Sequence, residues 1–252
     1  YAFTKSDYKT VVIPVICYAL VAAPSIQYHR VPLLILWVWI HLLQFNAANQ
    51  ILNSDEDTLN KPYRPIPAGL ITTEQTRVLR WTLVPVCLGF SAASDVVYPG
   101  LSLSAAFIAY NELGFDKYWY TKNLLNAIGL VSWNVGAASI SCGGQVSRNE
   151  ASWIAPYMSA ALIGSTIHIQ DFRDVIGDRQ AGRTTFPIVM PEYSRRASFV
   201  LLFVWSLGLS LYWNLSVIAA CIFVLFGLLI GTRIIYKRTE YDDKVSLRLY
   251  MV

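Results

Sequence analysis

Long apolar runs separated by short polar stretches dominate the pattern of this chain. Eight runs can cross roughly 30 Å of hydrocarbon as α-helices, some of them only with help from flanking residues or a tilt. The runs are Val11–Gln27, Val31–Leu52, Leu79–Ser94, Leu101–Leu113, Leu124–Ser141, Trp153–Ile169, Ala197–Trp213 and Leu215–Ile235. The pattern therefore predicts an all-α, polytopic membrane protein.

The end of the chain carries a further signal. Tyr241–Val252 turns from charged to apolar, which is typical of the beginning of another membrane helix. We therefore expect eight to nine transmembrane helices in a single domain over residues 1–252, with only the start of the ninth included.

Composition and charge narrow the class of protein. The chain is 55% hydrophobic and 14% charged, with a mean hydropathy of +0.43, which excludes an ordinary soluble domain. If eight helices alternate across the bilayer, all of the 20 Lys and Arg residues except Arg30 and Arg148 fall on one side. That side is expected to be cytosolic by the positive-inside tendency. These basic residues are interleaved with acids at helix ends, which argues against nucleic acid as a partner.

A first polar motif lies where the second apolar run ends. Asn49, Asn53 and Asp57 are spaced i, i+4, i+8, so a continuing helix would place them on one face. Oxygen ligands of this kind suit Mg²⁺, which commonly links a carboxylate to a substrate phosphate. Asp55 and Glu56 add negative charge beside them.

A second acidic motif follows the sixth run. Asp171, Asp174 and Asp178 are spaced i, i+3, i+7, which again favours one helical face. Three crowded carboxylates repel one another unless cations hold them. Either motif alone is also typical of a solvated helix end, but two on one side of the membrane favour a metal site.

Basic side chains accompany both motifs. Lys61 and Arg64 follow the first, Arg179 and Arg183 follow the second, and Tyr118 precedes Lys122 at the start of the fifth run. Metal ions with Lys and Arg around carboxylates form a receptor for a polyanion, and the charge balance points to a diphosphate.

Taken together, these residues resemble the UbiA superfamily of intramembrane prenyl-diphosphate enzymes. Residues Asn60-Lys61-Pro62-Tyr63-Arg64-Pro65-Ile66-Pro67 match the run after the family's first motif, the three aspartates match its second motif, and Tyr118 with Lys122 matches its Tyr-x-x-x-Lys. The resemblance implies helices bundled around a central cavity, with both motifs binding two or three Mg²⁺ ions and one isoprenoid diphosphate near the cytosolic face. It also leads us to expect the endoplasmic reticulum as the membrane.

The first motif departs from the commonest family pattern, because Asn53 stands where Asp is usual and Gln50 where Asp is frequent. This form looks like fungal members, some of which are terpene cyclases. A cyclase folds the prenyl cation on itself, whereas a prenyltransferase passes it to an acceptor such as an aromatic ring. We favour the cyclase, keep the transferase as the alternative, and regard a transporter as remote because no internal repeat is visible.

Overall fold

The computed structural model describes residues 1–23, 25–52, 57–58, 61–144 and 150–251. Within these ranges the regular secondary structure is helical, and backbone pairing outside helices is limited to an isolated parallel bridge between Tyr118 and Thr184. The predicted all-α class is confirmed.

The α-helices vary from four to 23 residues in length. They are α1 (Ile13–Ala22), α2 (Val31–Leu52), α3 (Thr73–Ala93), α4 (Val97–Asn111), α5 (Trp119–Ser141), α6 (Glu150–Thr166), α7 (Val175–Gln180), α8 (Phe186–Val189), α9 (Pro191–Tyr212), α10 (Val217–Tyr236) and α11 (Glu240–Tyr250). A π-helical turn, Tyr8–Val12, leads into α1, and a 3-10 helix, Ile167–Asp174, joins α6 to α7.

Every predicted apolar run overlaps one of the helices α1 to α6, α9 and α10, and α11 occupies the tail that resembled the start of a ninth. Within the described residues, three helical stretches are by themselves long and apolar enough to cross a membrane: Tyr28–Leu52, Trp119–Ser141 and Val217–Tyr236. The chain is a polytopic membrane protein built from helices.

Two predicted runs extend three or more residues beyond the C-terminal ends of their α-helices. The first was expected to reach Gln27, but α1 ends at Ala22, and Ala23 is extended. Pro24 follows Ala23 in the sequence, and a residue before proline is driven out of the helical region. The sixth was expected to reach Ile169, but α6 ends at Thr166 and the chain continues in the tighter 3-10 form.

The chain divides into two compact units. The first contains Tyr1–Phe115 and Leu125–Ala161. Its core is formed by α1, α2, α4 and α5 around the fully buried ring of Trp37, whose indole N–H donates to Ser91 Oγ at 2.9 Å. A Cβ at Gly136 would collide with this ring, so glycine permits α5 to pack closely against α2.

The second unit contains Asp116–Leu124 and Leu162–Val252. Ile169 and Phe172 of the 3-10 helix pack in its core with residues of α9, α10 and α11. Glycine again permits close approach, because a Cβ at Gly231 of α10 would lie 2.9 Å from the Cα of Phe199 in α9. The core thus places the second acidic motif against the C-terminal helices.

Candidate functional site

The end of α2 carries the first polar motif. Asn49 is half-buried, and Gln50 is buried with its amide donating to the backbone carbonyl of Phe3 at 3.0 Å. The N-terminal segment therefore contacts the position where this family often has an acid. Asn53, Asp55 and Glu56, like Asn60 of the matched run, lie outside the described residues.

Asp57 and Arg64 form a close ion pair in the first unit. The Asp57 side chain is 2% exposed, and Nη1 of Arg64 donates to both of its carboxylate oxygens at 2.8 and 2.6 Å. The chain folds back to make this contact, since the backbone N–H of Lys61 donates to the Asp57 carbonyl and that of Arg64 to the Lys61 carbonyl. Arg64, predicted as a diphosphate ligand, is thus in contact with a predicted metal ligand.

The second motif has the same arrangement within the second unit. Nζ of Lys122 donates to Oδ1 of Asp171 at 2.6 Å, and both side chains are buried. Nη1 of Arg183 donates to Oδ1 of the buried Asp178 at 2.9 Å. Asp174 differs, because its carboxylate is 46% exposed and paired with Arg173. The expected repulsion among these acids is thus offset by side-chain cations.

Electrostatics at Asp171 reflect both burial and pairing. Asp171 lies beyond the end of α6, and the pKa of its carboxyl group is raised above the ordinary value, chiefly by burial. Lys122 opposes this shift, and the carboxylates of Asp178 and Asp174 add to it. The side-chain partner Lys122 therefore favours the charged form that metal binding requires.

The donor atoms that remain fit a hard cation. Oδ2 of Asp171 and Oδ2 of Asp178 are buried and have no hydrogen-bond partner among the described residues. In that part of the chain, no three His, Cys, Asp or Glu side chains lie close enough together to hold a metal ion. Mg²⁺ commonly takes only one or two carboxylates and completes its shell with phosphate oxygens and water. Asp171 and Asp178 suit that role.

Backbone contacts join the segment before Lys122 to the segment after Asp178. The Thr184 N–H donates to the Lys117 carbonyl at 2.7 Å, and the Trp119 N–H donates to the Thr184 carbonyl at 3.2 Å. The rings of Trp119 and Phe186 stack at 4.9 Å. These contacts fix the start of α5, which carries Lys122.

Two further predicted diphosphate ligands, Tyr118 and Arg179, occupy more open positions. Tyr118 is 49% exposed and stacks against Tyr120 with 5.9 Å between ring centroids. Arg179 is exposed in the last turn of α7. Both residues lie in the second unit with Lys122 and Arg183.

The sequence pattern missed Asp116, a charged residue beside the pair of Arg183 and Asp178. Asp116 accepts from Nε of Arg183 at 3.3 Å, so this guanidinium lies between two carboxylates. In the first unit, buried Arg80 pairs with Glu112. The sole sequence signal for Asp116 was its place two residues before Tyr118.

Two buried histidines, His41 and His168, contact neighbouring helices. The ring nitrogens of His41 contact the Trp37 carbonyl at 2.8 Å and Ser91 Oγ at 3.3 Å. Nε2 of His168 lies 2.9 Å from Ser198 Oγ. Both rings are nearly fully buried, which favours a packing role for them.

The chain is similar to two named enzymes and to a solved structure. The chain is 32% identical over 251 residues to fumagillin beta-trans-bergamotene synthase of Aspergillus fumigatus, covering 99% of this chain and 86% of that protein. It is 27% identical over 212 residues to a polyprenyl transferase of Hericium erinaceus, covering 81% and 71%. A solved UbiA homolog from Archaeoglobus fulgidus, bound to GPP and Mg²⁺, has a TM-score of 0.67 at 15% identity, covering 99% of this chain and 95% of that one.

The family assignment rests on a match to nearly the whole chain. The model of the UbiA prenyltransferase family matches residues 11–252, and the solved homolog shares the helical fold. The predicted resemblance is confirmed. The chain belongs to the UbiA prenyltransferase family, whose members are intramembrane enzymes that use prenyl diphosphates.

Proposed function

We propose that this protein is a membrane terpene cyclase that ionises farnesyl or geranylgeranyl diphosphate and cyclises the resulting carbocation. The observation that carries this proposal is the likeness, over 99% of the chain, to a relative named as a bergamotene synthase. The Asn-rich first motif, with Asn49 described in α2, adds to it because this form is similar to fungal members of the family, some of which are cyclases.

The ionisation step assigns a role to each charged group. The allylic C–O bond breaks and its electron pair leaves with pyrophosphate, so negative charge develops on the leaving group. In the second unit, Lys122 and Arg183 donate hydrogen bonds to it, with Tyr118 and Arg179 as further ligands. The resemblance to the family extends the same role to Lys61 and Arg64, which follow the first motif. Such charge stabilisation is often the largest single contribution to catalysis.

The proposed ligands of two or three Mg²⁺ ions are the side chains of Asp57, Asp171, Asp174 and Asp178, together with Asn49 and Asn53. Bound Mg²⁺ supplies positive charge to the diphosphate oxygens and so assists departure of the leaving group. The buried Oδ2 atoms of Asp171 and Asp178 are the donor atoms that support this assignment most directly.

Ring faces in the first unit suit the hydrocarbon part of the reaction. Phe107 lies 5.1 Å from Phe45 and 5.5 Å from Trp133, and Tyr110 lies 5.4 Å from Phe45, measured between centroids. Aromatic faces attract cations within about 6 Å. These rings would steady the carbocation while a double bond of the same chain attacks it, and loss of a proton, or addition of water followed by loss of a proton, would end the reaction.

The alternative function is transfer of the prenyl group to an acceptor. The likeness to a polyprenyl transferase supports it. Both functions share the ionisation step and the same charged residues, and they differ in what captures the cation.

One experiment separates the two functions. Purified protein is incubated with Mg²⁺ and farnesyl or geranylgeranyl diphosphate without acceptor, and the hydrocarbons are analysed by gas chromatography with mass spectrometry. A cyclic terpene, lost in an Asp57→Asn variant, is the expected result. Turnover that requires an added aromatic acceptor would establish the transferase instead, and diphosphate that stays intact under all conditions would overturn both.

A further inference from the structure

The segment that carries Asp171 has an unusual backbone. Ile167–Asp174 is a 3-10 helix of eight residues, whereas 3-10 helices longer than three or four residues are uncommon. Their hydrogen bonds have poorer geometry than those of an α-helix, so contacts from elsewhere must hold this conformation. Side chains of the C-terminal helices supply such contacts.

Arg195 of α9 is anchored by the C-terminal helix. Its Nη1 and Nη2 donate to the two carboxylate oxygens of Asp243 at 2.9 and 2.8 Å, and Nη1 also donates to the Ile234 carbonyl at 2.7 Å. The Arg195 and Asp243 side chains are only 12% and 3% exposed. The orientation of the guanidinium plane is therefore fixed by α10 and α11.

This fixed guanidinium lies against the second acidic motif. Its central carbon is 4.4 Å from the ring centroid of Phe172, the residue directly after Asp171. The Phe172 ring is buried with Ile169, Ile234 and Leu247. Just before the 3-10 helix, Thr166 Oγ1 lies 2.8 Å from the hydroxyl of Tyr250 in α11. The C-terminal helices thus contact the segment near both ends.

We propose that Arg195, held by Asp243, is a positioning residue that fixes the 3-10 segment through Phe172 and thereby orients the carboxylate of Asp171. The catalytic consequence rests on the proposed function, in which Asp171 is a metal ligand. The positioning itself depends only on contacts within the second unit.

A contribution to the stability of the fold does not by itself explain the buried ion pair of Arg195 and Asp243. Replacing a buried ion pair by apolar residues is often neutral or stabilising, because desolvation offsets the attraction between the charges. Arginine instead offers a planar fork that binds a carboxylate with two hydrogen bonds and stacks on a ring at the same time, which lysine cannot do. Arg195 uses both properties.

The first test is hydrogen exchange of the purified protein in detergent. Arg195→Lys keeps the charge but loses the fork and the stacking, and Phe172→Leu keeps the ion pair but loses the ring. In both variants, amides of residues 167–174 are expected to exchange about tenfold faster, while those of α10 stay protected. Unchanged exchange in residues 167–174 of both folded variants would overturn the proposal, whatever the protein does with Mg²⁺.

The chain offers a matched control. Arg238, just after α10, donates to both carboxylate oxygens of Glu192 in α9 at 2.6 and 3.0 Å, but both side chains are about half exposed. Glu192→Gln is expected to leave exchange in residues 167–174 unchanged. Equal acceleration in Glu192→Gln and Arg195→Lys would mean a general loosening of the C-terminal helices and would overturn a specific role for Arg195.

The second test measures Mn²⁺ binding with inorganic pyrophosphate by electron paramagnetic resonance. Arg195→Lys and Phe172→Leu are expected to weaken Mn²⁺ binding about tenfold or more, and Glu192→Gln is not. Faster exchange together with wild-type Mn²⁺ affinity would overturn the link to Asp171. If the wild-type protein bound no Mn²⁺ with pyrophosphate, the proposed function would fail, and the exchange experiment would still judge the positioning.

Discussion

At the residue scale, buried carboxylates are repeatedly paired with a basic side chain. Asp57 contacts Arg64, Asp171 contacts Lys122, and Asp178 contacts Arg183. The sequence predicted all six residues as site candidates because their types and order match the family pattern. It could not predict their pairing, because the partners are between five and 49 residues apart and the fold decides which meet.

Replacing Asp171 by Asn tests the proposed metal ligand. Asparagine keeps the volume of the side chain but removes the negative charge, so turnover is expected to fall about 10²- to 10³-fold. Steady-state release of pyrophosphate measures this loss, and the exposed Glu192→Gln variant is its control. Near-normal turnover of Asp171→Asn would remove this residue from the metal ligands.

Removing Lys122 is expected to affect substrate binding first. Lys122→Ala should raise KM for the prenyl diphosphate about tenfold, because one charge-assisted hydrogen bond is lost. Lys122 also lowers the pKa of Asp171, so its loss raises that pKa further. If turnover needs ionised Asp171, activity should then be lost at a higher pH as the solution is acidified.

The control for this variant is Lys117→Ala, which removes an exposed lysine in the same segment. Rate profiles between pH 5 and 8 would be compared for both variants. An acid limb that stays in place in Lys122→Ala would contradict the assigned coupling between Lys122 and Asp171.

At the element scale, hydrophobic runs predicted which segments are helical better than where the helices end. The run Val31–Leu52 begins where α2 begins, because the polar residue Arg30 precedes it. The predicted end of the sixth helix was wrong, because an apolar run does not distinguish an α-helix from the 3-10 helix that begins at Ile167. That change depends on contacts with α9 and α11, which a local pattern does not contain.

The contact between α9 and α10 gives a prediction at this scale. In Gly231→Ala, the added Cβ would lie 2.8 Å from Cδ2 and 2.9 Å from Cα of Phe199, so the helices must separate. We expect a loss of about 1–3 kcal/mol, seen as a lower Tm in detergent. Gly208→Ala in α9 is the control, since its added Cβ meets nothing within 4 Å. Equal Tm values for the two variants would contradict close packing at Gly231.

At the scale of the whole molecule, charge explains how metal and substrate binding should be linked. Three of the basic groups proposed to bind diphosphate, Arg64, Lys122 and Arg183, are in contact with acids proposed to bind metal. Within the second unit, a diphosphate that draws Lys122 and Arg183 away would free carboxylate oxygens of Asp171 and Asp178 for Mg²⁺. Binding of the two ligands is then mutually favourable, and the effect must be reciprocal.

This linkage predicts weak metal binding without the anion. Mn²⁺ affinity, measured by electron paramagnetic resonance, is expected to rise about tenfold or more when inorganic pyrophosphate is added. Sulfate at equal ionic strength is the control for non-specific anion effects. The same Mn²⁺ affinity with and without pyrophosphate would contradict the exchange of partners.

The orientation of the protein in its membrane is a further prediction at this scale. Leu215 precedes α10 and Lys237 follows it, so the two ends of this spanning helix should lie on opposite sides. In sealed vesicles with the cytosolic face outward, an impermeant thiol reagent should label Lys237→Cys and spare Leu215→Cys. The exposed Cys17 and Cys221 are first replaced by alanine. Labelling of Leu215→Cys alone would reverse the proposed orientation.

The long 3-10 segment has a consequence for how such motifs diverge. Three residues complete a 3-10 turn, so Asp171 and Asp174 share a face, whereas the four-residue spacing of Asn49 and Asn53 suits an α-helix. One residue inserted between Asp171 and Asp174 would rotate one carboxylate by about 120° relative to the other. Substitution of an acid by an amide, as at Asn53 in the sequence, removes a negative charge but does not rotate the side-chain position about the helix axis. Evolution of these motifs should therefore tolerate changes of residue type more readily than insertions or deletions.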